Sequence, residues 1–314
     1  MIAVHADWSM HPGKRYHATA RRVDGKWQAE APRLVGDPAA WLGGLLADGA
    51  AVAMGLDLPL GLPRGLAAGR PEDGFPDFLT GCGAMPGFFA VNETLATISA
   101  DRPFYPARGV KGMTRLSHAQ ARGLADAADL SRLCDRATAE RPAGAPVLWT
   151  LGANQSGKAA ISAWRDWLGP ALAAGAPLAL WPFEGGLHAL LAPGRAVLAE
   201  VYPAEAMRHL GLRLRGSKRD AAARLALAPA LLDAFDRLRV VPSPALRDAV
   251  ASAFGQDAPG EDRLDCVLGL LCLIQVLDGG RPDHIPADPW VRRWEGWVLG
   301  QLTPAQAPAP PTSA

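Results

Sequence analysis

The first 60 residues set the strongest limit on the fold, because three strand-like runs in succession are followed by a capped helix and a fourth strand. Ile2 to Asp7 alternates apolar residues with others, residues 15–23 alternate more weakly, and residues 27–34 follow the turn Asp24-Gly25. Asp37 is placed to cap a helix, with Pro38 at its first position, that runs to about Asp48-Gly49. Residues 51–58 then read as a buried strand. A meander, a helix and a returning strand fit an α/β fold with a mixed central sheet and helices on both faces.

From Pro59 the text changes character, with dense Pro and Gly punctuation and a Phe/Met/Gly-rich stretch at 82–92. We expect an insertion at about 62–145, after the fourth strand. Within it, helical spacing runs from a Ser117 cap to Glu140. Regular alternation resumes with a strand at 146–151, a helix at 158–174 and strands at 178–183 and 196–202. A helical C-terminal section reaches about Leu302. The uncharged Pro/Ala-rich end, 303–314, is expected to be a disordered tail. Residues 1–302 then form a single domain.

Composition narrows the class. The chain has 314 residues, 49% apolar letters, 20% charged residues and a net charge of +1, ample material for a core. The longest uncharged stretch, 167–183, carries three prolines and two glycines, too short and too broken for the roughly 20-residue helix that spans a bilayer. No membrane segment is expected. The start, Met-Ile-Ala-Val-His-Ala-Asp, lacks the basic region of a signal peptide, so a cytoplasmic protein is expected. Cys82, Cys134, Cys266 and Cys272 stand singly, which points to packing and not to disulfides or a zinc site.

The chemistry concentrates in acids at strand ends. Asp57 is the one charge in a 13-residue run, 51–63, and a carboxylate there needs compensation for its lost hydration. Two roles suit it: capping the Pro59-Leu60-Gly61 turn through its side chain, or ligating a metal. Asp7 ends the first strand in the same way. Asp262 and Asp265, three apart, share one face of an apolar helix, where they serve as first-turn acids or as ligands. Glu200 ends the strand that runs into Val201-Tyr202-Pro203. Mg²⁺ and Mn²⁺ prefer such hard oxygen donors, and a carboxylate-held pair of ions can activate water against a phosphodiester.

The order of Asp7, Leu56-Asp57-Leu58-Pro59-Leu60-Gly61, Glu200-Val201-Tyr202-Pro203, Lys218 and Asp262-Arg263-Leu264-Asp265 resembles a predicted RNase H-like nuclease family, catalogued as domain of unknown function number 429. The resemblance spans most of 1–280, in motif order. Asp262-x-x-Asp265 is also similar to the metal-binding helix of Holliday-junction resolvases. Two positions depart from the family pattern: Trp8-Ser9 follows the first Asp in place of glycine-containing text, and Cys266 stands where Ala is common. The resemblance implies an RNase H-like core and a metal-dependent nuclease. Asp7, Asp57 and Asp265 would be catalytic, with Asp262 and Glu200 as further ligands, and Mg²⁺ or Mn²⁺ the cofactor. A nucleic acid or nucleotide would be the substrate.

A second motif competes. Gly152 to Ala159 matches the phosphate-cradling GxxxxGK pattern between an expected strand and an expected helix, but Ala159 replaces the hydroxyl that holds magnesium. Lys158 then contacts a phosphate of the same substrate, or is a solvated residue at a Gly-rich helix start. Lys218 and Arg219 are further phosphate-binding candidates within the basic run 208–224. Two other functions are compatible with these features: a nucleotide-binding phosphotransferase or ATPase of the same core fold, and a non-catalytic adaptor for nucleic acid or protein.

Overall fold

The structure is a computed structural model that describes residues 1–105, 112–137, 142–150 and 156–302. Eight strands form one mixed sheet: β1 (Ile2–Asp7), β2 (Tyr16–Val23), β3 (Lys26–Ala29), β4 (Arg33–Leu34), β5 (Val52–Asp57), β6 (Leu178–Leu180), β7 (Ala196–Glu200) and β8 (Val240–Pro242). Their order is β6-β7-β5-β1-β2-β3-β8, with β4 beside β2. β1, β2 and β3 are antiparallel neighbours, while β5 joins β1, and β7 joins β5, in parallel.

The central strands are apolar throughout because both faces are covered, as parallel strands require. Side chains alternate, and the alternation sorts them into two cores. Ile2, Val4, Ala6, Val52, Met54, Leu56 and Leu198 point to one face, where the helices Pro38–Leu46 and Ser156–Ala163 pack with Phe75, Phe78 and Phe104 of the insertion. Ala3, Ala53, Val197 and Ala199 point to the other, under the helices Ala221–Arg237 and Gly260–Leu277. Helix 260–277 is apolar nearly all round, and it lies across β1, β2 and β5. Small residues make the close approach possible: the His5 ring is wedged between Gly55 of β5 and Gly269 of that helix.

Several expected elements are placed differently. The run 27–34 is broken at Pro32 into β3 and β4, since proline has no amide to continue a ladder. The expected strand at 146–151 does not form over 146–150. Its backbone turns instead, with Trp149 N–H donating to the Pro146 carbonyl and Gly157 N–H to that of Trp149. Val147 and Leu148 are nevertheless fully buried, which explains their strand-like apolar text.

The helix expected from Ser117 is capped by Thr114 and spans Arg115–Ala121; Ser117 is the third helical residue and completes a reciprocal capping box. Gly123, at φ +73°, follows its end, and only short turns of helix appear up to 137. β8 was not expected; it pairs in parallel with β3. The C-terminal stretch 303–314 lies outside the described residues. Among the described residues all four cysteines are buried and none forms a disulfide, and no helix is long and apolar enough to cross a membrane.

Candidate active site

Asp7 and Asp57 end neighbouring parallel strands, and the register sets them directly opposite one another. Asp7 shares the parity of Ala3 and His5, and Asp57 that of Ala53 and Gly55, so both side chains turn toward helix 260–277. The first two turns of this helix carry Asp262 and Asp265 over the same strand ends, close enough that both acids act on Asp7 through space.

The crowding is electrostatically expensive. Burial, followed by the charges of Asp57, Asp265 and Asp262, pushes Asp7 well above the usual carboxylate range. Burial and the charge of Asp265 carry Asp57 to about 7, and a hydrogen bond links the Asp7 and Asp57 carboxyl groups. Among the described residues no lysine or arginine forms an ion pair with either of them. Nor does Asp57 cap the turn that follows it. The Leu60 amide donates to Glu200, the Pro59 carbonyl accepts from Trp164 Nε1, and Gly61, at φ +142°, packs against the Glu295 carbonyl.

Asp265 has a partner. Lys218 Nζ donates to both of its carboxylate oxygens, at 2.7 Å to Oδ1. Burial still outweighs this attraction and raises Asp265 to about 6. Burial opposes the charge on Lys218, but Asp265 and Asp57 hold its pKa above the ordinary lysine value. Burial and Glu261 likewise raise Asp262. The Lys218 backbone is fixed by Arg224, which is buried and donates to the carbonyls of Lys218, Ala253 and Gly255 at 2.5, 2.8 and 2.6 Å. Arg224 is thus structural and does not belong to a solvated basic face. Arg219 is 79% exposed and lies 3.3 Å from Glu261.

Glu200 lies on the other side of the sheet. Register pairs it with Leu56, one residue before Asp57, so it shares the face of Leu56 and turns away from the aspartates. There Arg132, from the insertion, donates to both of its oxygens at 2.7 Å. Arg132 also binds Asp135 through Nε and Nη2, each at 2.9 Å, and Tyr202 Oη at 3.1 Å. Among the described residues, Cys134, Asp135 and Glu200 are the one trio whose potential ligand atoms come within 4.8 Å of one another. The guanidinium of Arg132 bonds both carboxylates, so this trio already has its cation.

A cleft of about 530 Å³ opens at the carboxyl ends of β1, β5 and β7, where open α/β sheets bind ligands. Asp57, Lys218, Trp8, Tyr202 and Arg208 line it, and Asp135 reaches it from the insertion. No protein-family model, curated protein or solved structure matches the chain.

The structure gathers Asp7, Asp57, Asp262, Asp265 and Lys218 in one neighbourhood, and local sequence pattern does not connect Arg132, Asp135 and Arg208 with them. Arg132 and Asp135 fall within the stretch 117–140 that reads as one helix, where a three-residue spacing suits a solvated pair as well as a buried one. The phosphate-loop motif loses its context. No strand at 146–150 leads into it, residues 152–155 lie outside the described residues, and the cleft is lined by Ser156 and Ala159, not by Lys158.

Proposed function

We propose that this chain is a divalent-metal-dependent hydrolase that cleaves a phosphodiester of a nucleic acid or nucleotide, built on an RNase H-like core and working in the cytoplasm. One observation carries the reading: two in-register aspartates end adjacent parallel strands, Asp57 opens on a cleft, and among the described residues no lysine or arginine forms an ion pair with either. The order β3-β2-β1-β5-β7, an antiparallel meander continued by parallel strands, supports the RNase H-like core. Four buried cysteines that form no disulfide among the described residues suit a reducing compartment.

The donor set fits Mg²⁺ or Mn²⁺. Both prefer hard oxygen ligands, and Mg²⁺ commonly takes one or two carboxylates while keeping waters and substrate oxygens. Asp7 and Asp57 would supply these ligands, with Asp262 as a further oxygen donor. Asp265, already held by Lys218, keeps that ammonium beside the pair. When bound, such an ion lowers the pKa of a water and offsets charge on the phosphate. The chain's own contribution is to set the two carboxylates in fixed register and to hold Lys218 where negative charge develops. Arg219, exposed and next in sequence to Lys218, is a further phosphate contact in this reading. Glu200 acts as the insertion's anchor in this reading, and Lys158 has no part in it.

The test is Mn²⁺-supplemented hydrolysis over single-stranded, duplex, hybrid and branched DNA and RNA, with Asp57→Asn as control. Turnover by the wild type alone is the expected result. Turnover that survives Asp57→Asn, or none on any substrate, contradicts the reading. ATP binding abolished by Lys158→Ala would turn the assignment toward phosphotransfer.

A further inference from the structure

We infer that the cleft beside Asp57 is a mononucleotide site: it holds one nucleoside phosphate unit and not the flank of a duplex. The inference deepens the proposed hydrolase function and rests on it for the identity of the reacting phosphate. Size is the first argument. A volume of about 530 Å³ falls within the roughly 300–1,000 Å³ of sites for small ligands, whereas a sequence-reading duplex interface buries about 1,000–2,500 Å² of open protein surface. Insertion residues Pro142, Gly144 and Ala145 form one wall, and the start of helix Pro203–His209 forms another, so the depression is bounded on both sides.

The lining is the second argument, because it divides as a nucleotide does. Lys218, held by Asp265, and Arg208, 3.3 Å from the cleft residue Glu205, place two cations in the same cleft as Asp57, and each can turn a further donor to a phosphate. Pro59, Ala159, Pro203 and the Tyr202 ring present apolar surface for a flat base. Asp135 adds a carboxylate that is 3% exposed and locked by Arg132, an acceptor for sugar hydroxyls that cannot swing away. Trp8, by contrast, is no free stacking platform. Its ring is stacked on Trp167 with centroids 4.8 Å apart, its Nε1 donates to Ser162 at 3.1 Å, and Arg15 lies 4.6 Å from its centroid.

The experiment is calorimetric titration of the full chain with adenosine 5′-monophosphate, with inorganic phosphate and with a 20-base-pair duplex, each with and without Mn²⁺. The mononucleotide is expected to bind at least tenfold more tightly than phosphate. Arg208→Ala, which removes a side chain 36% exposed at the rim and so leaves the fold intact, is expected to weaken that binding about tenfold. A flat mononucleotide titration, or affinity no better than phosphate, overturns the inference, as does binding of the duplex that the mononucleotide fails to displace. Hydrolysis of bis(4-nitrophenyl) phosphate in the same samples reads the hydrolase function separately. Nucleotide binding without Mn²⁺-dependent hydrolysis keeps the site and removes the proposed reaction.

Discussion

Asp7 and Asp57 stand in direct register at the carboxyl ends of β1 and β5, with their carboxyl groups hydrogen-bonded to each other beneath helix 260–277. A parallel pair places identical side chains side by side, so two acids at matching ends concentrate negative charge at one point. The fold disfavours that charge unless a cation or a proton arrives.

The cost has a pH signature. Asp57 titrates at about 7 in the folded chain against roughly 4 in an unfolded one, so between these values the folded state binds the extra proton. Stability contributed by this group is therefore lost as pH rises from about 4 to about 7. His5 has the opposite slope, because burial lowers it to about 4 and the unfolded chain takes up its proton first. Comparing Asp57→Asn with the wild type cancels the histidine. In metal-free buffer the variant should gain on the order of 2 kcal/mol over the wild type between pH 5 and pH 8, measured by urea unfolding. A variant less stable than the wild type at pH 8 would refute this.

Arg132 ties its own stretch of chain to β7 through buried Glu200, and a second buried carboxylate, Asp135 three residues on, completes the cluster. Arg132→Met should cost about 3–5 kcal/mol, because Glu200 and Asp135 are left buried without their cation. Adding Glu200→Gln should recover part of that loss. Denaturant midpoints of the single and double variants measure the coupling, and simple additivity would show that the pair is not a unit.

Gly269 has no room for a methyl group, since a Cβ there would collide with the His5 ring. Gly269→Ala should destabilise the chain by about 1–3 kcal/mol, as overpacking does. His5→Ala removes the obstacle, so the double variant should be more stable than the two single losses predict. Thermal unfolding of all four chains supplies the cycle.

Much of this was readable before any coordinates. β1, β5 and β7 announce themselves because their text is apolar on both faces, and Asp57 stands out because it is the lone charge in such a run. The face that an acid occupies is less legible. Glu200 differs from Asp57 by a single register step, and that step depends on how β7 pairs with β5, a long-range fact absent from local pattern. Arg132 was hidden for a related reason, since a buried arginine is defined by partners 68 and 163 residues away. Residues 147–148 misled because burial writes the same apolar letters whether the backbone pairs in a sheet or turns within a loop.

The most direct measurement is Mn²⁺ binding at pH 8, read from the loss of the free-ion electron paramagnetic resonance signal in wild type, Asp7→Asn and Asp57→Asn. Binding to the wild type, weakened at least tenfold in each variant while both remain folded by circular dichroism, is the predicted result. Equal binding by all three proteins, or none by the wild type at millimolar Mn²⁺, would contradict the paired-aspartate metal site.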